Sequence, residues 1–137
     1  MSSPATIDAS VFISAFTPSE EEHEASRAFM RGVRDSNTPI IVPTLVIPEI
    51  AAAFGRGQGK PDLGYSYAIE VSKLPNVTLI DLDESLADTA ANLAARYRLR
   101  GSDAVYAAVA TRFATDLISL DREHLDRLKK IVSVRKP

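Results

Sequence analysis

Cysteine and tryptophan are both missing from this 137-residue chain. Without thiols there can be no disulfide, no thiolate zinc site and no cysteine nucleophile. A reducing, cytoplasmic setting is the expectation that accords with this. Long hydrophobic runs are also missing: none approaches the ~18 residues that a membrane helix needs. The opening segment MSSPATIDASVFISAF lacks the positive stretch of a secretory signal, so none is expected. Positive charge is in short supply. Sixteen Lys and Arg face eighteen Asp and Glu, for a net charge of −2. Such a chain has no global attraction for nucleic acid, and binding would require a local basic patch or added cations. Three nucleotide and hydrolase signatures are absent as well. There is no phosphate loop ending in Gly-Lys-Ser/Thr, no Gly-x-Gly-x-x-Gly turn after a strand and no Gly-x-Ser-x-Gly elbow. The length and the 45% hydrophobic content suit one globular domain spanning residues 1–137.

What is present stands out against local scarcity of charge. A quarter of the residues are charged (25%), yet three acids stand alone. Asp8 is the only charged side chain between residues 1 and 19, Glu49 between 36 and 55, and Asp103 between 101 and 111. A carboxylate in apolar surroundings must be paired, protonated or bound to a cation. No Lys or Arg lies within six positions of Asp8 or Glu49, so helical neighbours cannot supply the countercharge. The economical reading is that these carboxylates meet in space and hold a metal ion.

The pattern along the chain is strand alternating with helix. Ala5 to Ile7 reads as a short strand ending at Asp8, and Ala9 to Phe16 as a turn entering a helix. Ser19 is placed to cap a helix running to about Val33, with Glu20, Glu21 and Glu22 in its first turn, where the dipole favours anions. Pro39 to Val42 reads as a strand, followed by a helix capped by Thr44 that carries Glu49 and Phe54. Pro48 is tolerable there only near the first turn. Gly55, Gly57, Gly59 and Gly64 mark a flexible loop, GRGQGKPDLG, that also carries Arg56 and Lys60. A helix is expected over Asp62 to Lys73 and a strand over Asn76 to Asp81. Asp83 caps a helix stopped by Gly101, and Ser102 or Asp103 caps the next, Ala104 to Ala114, which is apolar nearly all round. Asp116 to Leu120 reads as a strand, Asp121 starts a helix with Leu125 and Leu128, and Ile131 to Val134 closes the chain as a strand. Short apolar strands alternating with helices predict an α/β fold with a parallel sheet covered on both faces.

In such a sheet ligands bind beyond the carboxyl ends of the strands. Asp8 and Asp121 sit at two strand ends. Glu49 and Asp103 lie early in helices that face the same edge, so four acids from four segments can converge there. Three Asp and one Glu, with no His or Cys among them, make an all-oxygen site suited to Mg²⁺ or Mn²⁺. Such ions stabilise a phosphoryl transition state and acidify a bound water. Singly, each acid has a plainer reading: Asp8 as a turn cap, Glu49 as a solvated helix residue, Asp103 and Asp121 as N-caps. The joint pattern favours the cation site. His23 and His124 read as surface residues on polar helix faces.

The segments TIDASVFISAF, VIPEIAAAF, GSDAVYAAVA and LISLDREHL resemble, in order and spacing, the four motifs of PIN-domain ribonucleases, in particular the VapC-type toxins of toxin–antitoxin pairs. The resemblance covers essentially the whole chain. It implies a five-stranded parallel sheet flanked by helices, and Mg²⁺- or Mn²⁺-dependent endoribonuclease activity in which a metal-activated water cleaves the RNA phosphodiester. Carried over, Asp8 and Asp103 are direct metal ligands, with Glu49 and Asp121 completing the cluster, partly through water. Ser10 orients the first carboxylate and Ser119 occupies a supporting position before the last. A homodimer and a small protein antitoxin are the implied partners. Arg56 and Lys60 on the glycine-rich segment, and Arg98, Arg100 and Arg122 near the rim, are candidates for phosphate contacts. Pro48 beside Glu49 departs from the family pattern.

Two other readings compete. One is a PIN-domain nuclease of RNA processing with no antitoxin. The other is a non-catalytic α/β module, either a receiver-like domain binding Mg²⁺ for signalling or an intact fold that binds RNA or an antitoxin without cleaving. Against a receiver, no acidic pair ends the first strand, and Arg122 follows Asp121.

Overall fold

The computed structural model describes residues 3–137. Its elements are β1 (Ala5–Ile7), α1 (Ala9–Phe16), α2 (His23–Asp35), β2 (Ile40–Pro43), α3 (Val46–Gln58), α4 (Pro61–Ser72), β3 (Val77–Ile80), α5 (Glu84–Tyr97), α6 (Gly101–Phe113), β4 (Asp116–Ile118), α7 (Arg122–Leu128) and β5 (Val134–Arg135). The five strands form one parallel sheet in the order β3-β2-β1-β4-β5. The chain steps outward from β1 to β3, then returns past β1 to lay down β4 and β5. The reversal falls between β1 and β4, and in open α/β sheets the crevice beyond such a switch point is the ligand site.

Strand chemistry explains the two-sided burial. In β2, Ile40 and Val42 enter the main core, while Ile41 between them packs on a second cluster. The main core holds Ile7, Val11, Phe12, Val46, Ile50, Phe54, Leu117 and Ile118. The second is built from Leu86 and Ala90 of α5 with Ala104, Val105, Ala108 and Val109 of α6. Helix α6 serves both, since Tyr106, Ala107 and Ala110 face the main core. That is why its apolar residues run nearly all round, as its sequence suggests.

Several expectations are corrected; Leu45, not Thr44, is the N-cap residue of α3. The glycine-rich segment is not a loop. Helix α3 runs on through Gly55 and Gly57 to Gln58, and Pro61 already opens α4, leaving Gly59 in the left-handed region (φ 67°) and Lys60 as the link. Helical glycine costs roughly 0.5–1 kcal/mol relative to Ala. Here packing offsets that cost. At Gly64 an added Cβ would lie 2.6 Å from the Ala51 carbonyl oxygen and 3.0 Å from Phe54 Cβ, so glycine lets α4 approach α3. Tyr67 then stacks on Phe16 at 4.1 Å and meets Phe54 edge-on at 5.0 Å.

Glu20, Glu21 and Glu22 precede α2 instead of filling its first turn. Successive turn bonds (Glu20 N–H to Thr17 O, His23 N–H to Glu20 O) delay the helix. His23, buried, donates through Nδ1 to Ser14 O at 2.8 Å and fixes the start. Gly101 does not stop α5. Arg98 does so in the left-handed region (φ 56°), and Gly101 is the first residue of α6, with Arg100 in the N-cap position where Ser102 or Asp103 was expected. Strands β4 and β5 are also shorter than expected, and β5 begins at Val134.

Candidate active site

The register of β1 against β4 builds the floor of the site. Ala5, Thr6 and Ile7 pair with Asp116, Leu117 and Ile118, so the next residues, Asp8 and Ser119, come side by side. The Asp8 N–H donates to Ile118 O at 3.0 Å. Asp8 leaves the strand in extended geometry (φ −67°, ψ 148°) and becomes the N-cap of α1, its Oδ1 accepting from Ser10 N at 3.0 Å. Its other oxygen, Oδ2, accepts from Ser119 Oγ at 2.8 Å. Ser10 Oγ in turn accepts from Leu120 N at 3.2 Å, tying α1 to the end of β4. Asp121 caps α7, its Oδ1 accepting from Glu123 N at 2.8 Å, and its own N–H donates to Ser119 Oγ at 3.0 Å.

The other two acids arrive on helices. Asp103 lies in the first turn of α6 and Glu49 in the first turn of α3. Pro48 also falls in that first turn, where its missing N–H removes no bond, so it leaves α3 intact. Glu49 Oε1 accepts from the buried Tyr106 hydroxyl at 2.5 Å. Asp8, Glu49, Asp103 and Asp121, with Ser10, Ser102 and Arg100, line one cleft of about 320 Å³. The four acids singled out in the sequence are therefore brought to one place. Arg56, Lys60, Arg98 and Arg122 do not line it; each is exposed elsewhere. A larger cleft, about 600 Å³, lies between α1, α2 and α4 and reaches the amino-terminal edge of β2 and β3. It contains none of the four acids.

The sequence reading missed Tyr106 and misplaced both histidines, since His23 and His124 are buried and only His124 belongs to the site. Far from being solvated, His124 is fully buried beneath the acids. Its Nδ1 lies 3.0 Å from Asp8 Oδ2 and 3.2 Å from Ser119 Oγ, and its Nε2 lies 3.2 Å from Asp103 Oδ1. The last contact is off the line of a hydrogen bond, so it acts as an ion pair. Burial alone would lower the His124 pKa, but the contacts with Asp103 and Asp8 outweigh it and raise it to about 10. Above the cleft, Arg100 Nε donates to Asp103 Oδ2 and Nη2 to Asp121 Oδ2, both at 2.9 Å. Burial pushes Asp103 up, yet His124 and Arg100 more than reverse this and hold it below the usual carboxylate range. Glu49 is raised, first by burial, with the Tyr106 bond opposing and the Asp8 and Asp103 charges reinforcing. Tyr106 is pushed far above its ordinary value by burial and by Glu49, so its phenol stays a donor.

The donor set suits a hard divalent cation, being wholly oxygen. Among the described residues, however, no three His, Asp or Glu side chains are already arranged around a common cation position. Instead, His124 and Arg100 neutralise Asp8, Asp103 and Asp121. The site fits a cation by charge and chemistry once the exposed partner, Arg100, gives way.

Residues 5–131 match the PIN domain family. The chain belongs to that family. A comparison with curated protein sequences finds no match. Solved structures share the PIN fold at low identity. VapC20 of Mycobacterium tuberculosis, described as a sarcin-ricin loop cleaving toxin, superposes with a TM-score of 0.77 at 16% identity, covering 96% of this chain and 98% of that one. FitAcB from Neisseria gonorrhoeae gives 0.72 at 17% identity, covering 97% of each. VapBC2 from Rickettsia felis, bound to a DNA fragment from its promoter, gives 0.71 at 12% identity, covering 98% of each. Among the described residues of this PIN domain, no helix is long and apolar enough to cross a membrane.

Proposed function

We propose that this PIN domain is a Mg²⁺- or Mn²⁺-dependent endoribonuclease that acts in the cytoplasm as the toxin of a toxin–antitoxin pair. The observation that carries the reading is the convergence of Asp8, Glu49, Asp103 and Asp121 on one cleft at the switch point of the sheet. Asp8 and Asp103 would hold the ion, with Glu49 and Asp121 completing its acidic surroundings. When bound, the cation supplies charge for the phosphoryl transition state and acidifies a water. The chain's own groups do the positioning. Ser10 N and Ser119 Oγ each fix one oxygen of Asp8. Tyr106 holds Glu49 toward the cleft, and the capping bonds of α7 hold Asp121. RNA phosphates are met at the rim by Arg100, while Arg56, Lys60, Arg98 and Arg122, outside the cleft, are left to RNA that extends beyond it; such contacts position without reading sequence.

The fold neighbours support a structured RNA target and a small protein antitoxin, since one is described as a sarcin-ricin loop cleaving toxin and another, from Klebsiella pneumoniae, as a toxin–antitoxin complex. A homodimer is part of the same proposal. The test is cleavage of labelled tRNA and ribosomal stem-loops by purified protein with Mg²⁺, Mn²⁺ or EDTA. Cleavage that requires the ion is expected; cleavage undiminished by EDTA would refute the metal dependence. A short reading frame encoding an antitoxin beside the gene distinguishes the toxin from an RNA-processing nuclease.

A further inference from the structure

Asp103 and Asp121 share an arrangement that their individual roles do not explain. Each presents one carboxylate oxygen inward and one outward. Inward, Asp103 Oδ1 faces His124 Nε2, and Asp121 Oδ1 accepts the capping bonds of α7. Outward, both Oδ2 atoms are taken by the one Arg100 guanidinium, at 2.9 Å each. The two Oδ2 atoms belong to acids lining the cleft, so Arg100 occupies one oxygen of each.

Arg100 differs from the structural cation beneath it. Its side chain is 67% exposed, while those of Asp103 and Asp121 are 13% and 25% exposed. Its backbone is pinned as the N-cap of α6, a position that favours a small polar side chain able to bond the helix N-terminus. Arg100 makes no such cap bond and spends its fork across the cleft. An exposed ion pair is weak, and releasing this one leaves neither aspartate bare, because the inward contacts remain.

We infer that Arg100 is an intramolecular competitor of the divalent cation: it closes the acidic cleft when metal is absent and must release Asp103 for the ion to bind. This deepens the nuclease reading and rests on it, since it presumes that these carboxylates take a cation. The effect is to set a threshold. The cluster stays neutralised at low cation concentration and opens as the concentration rises, freeing a guanidinium at the mouth of the cleft.

The test is calorimetric titration of Mn²⁺ into the metal-free full chain, with no RNA present. The proteins compared are the wild type, Arg100→Gln, Arg100→Lys, Arg122→Gln and Asp103→Asn. Removing two exposed contacts is expected to tighten Mn²⁺ binding about three- to tenfold in Arg100→Gln. Arg100→Lys, which keeps the charge but loses the two-pronged fork, should fall between it and the wild type. Arg122→Gln removes the same charge beside Asp121 and should shift affinity less than Arg100→Gln. A parallel Mn²⁺ thermal shift, larger for Arg100→Gln than for the wild type, supports the same conclusion. Wild-type affinity, or weaker, in a folded Arg100→Gln overturns the competitor role while leaving the metal site standing. An equal gain in Arg122→Gln also overturns it, since net charge alone would then explain the change. Absence of Mn²⁺ binding in the wild type and in both Arg100 variants refutes the metal reading itself, and the competitor with it.

Discussion

His124 and Arg100 each bridge two of the four acids, one from below and one from above, under opposite physical conditions. His124 is fully buried, its ring fixed between Asp8, Ser119 and Asp103. Arg100 is mostly in water and reaches across the cleft mouth on a long side chain. The same attraction therefore has two consequences. Below, loss of the cation would strand carboxylates away from water, so the contact is structural. Above, water takes over when the pair breaks, so the contact is exchangeable. A site that must be both assembled and open to an ion needs one of each.

The largest expected effect lies where the two cations share a target. Asp103→Asn removes a proposed ligand and a partner of both. RNA cleavage should fall by more than the roughly 10- to 100-fold typical of a metal's supporting residues. Circular dichroism should show the fold retained; activity within a factor of two of wild type would place the chemistry elsewhere. Next comes the floor. His124→Leu should destabilise the metal-free protein by about 3 kcal/mol, because Asp8 and Asp103 lose their buried counterion. Urea unfolding measures this, and a loss below about 1 kcal/mol would deny His124 its structural role.

The pH dependence sharpens the same contrast. His124 has a folded pKa of about 10, above its ordinary 6.5. Its stabilisation is whole below pH 6.5 and is lost as pH climbs toward 10. Unfolding of the metal-free protein at pH 6 and pH 9 should differ by on the order of a few kcal/mol, with pH 6 the more stable. Stability that is flat or rising across that window would contradict the pairing. Mn²⁺ should raise the melting temperature more at pH 7 than at pH 5, because burial raises the Glu49 pKa and its carboxylate form is favoured by higher pH. The smallest effect belongs to the mouth: Arg100→Gln should change metal-free stability by less than about 1 kcal/mol. A loss as large as that of His124→Leu would erase the distinction between the two cations.

Much of this was legible in the sequence because the acids stand in uncharged stretches. Asp8 and Asp121 follow short, mainly apolar runs, which locates them at strand ends. Glu49 and Asp103 each open a helix in an apolar stretch, which turns them inward. His124 was not legible by the same rule. Its neighbours Arg122, Glu123 and Asp126 are exposed, and a polar residue among them reads as polar surface. The available signal was position: His124 and Leu128 are four apart and form the buried face of α7. Arg100 was flagged only as a possible phosphate contact, because a pairing across 21 residues with Asp121 has no local trace. The glycine-rich stretch misled for a related reason, since tight packing at Gly64 overrides a propensity that by itself predicts a loop.

The central claim is that the four carboxylates form a cation-dependent RNA-cleaving site. Its most direct measurement is a Mn²⁺ titration of RNA cleavage by the wild type, Asp8→Asn and Asp103→Asn, under identical conditions. The account expects wild-type cleavage to rise with Mn²⁺ from a baseline near zero, and both folded variants to stay at that baseline. Cleavage by either variant at the wild-type rate, or wild-type cleavage indifferent to Mn²⁺, would contradict it.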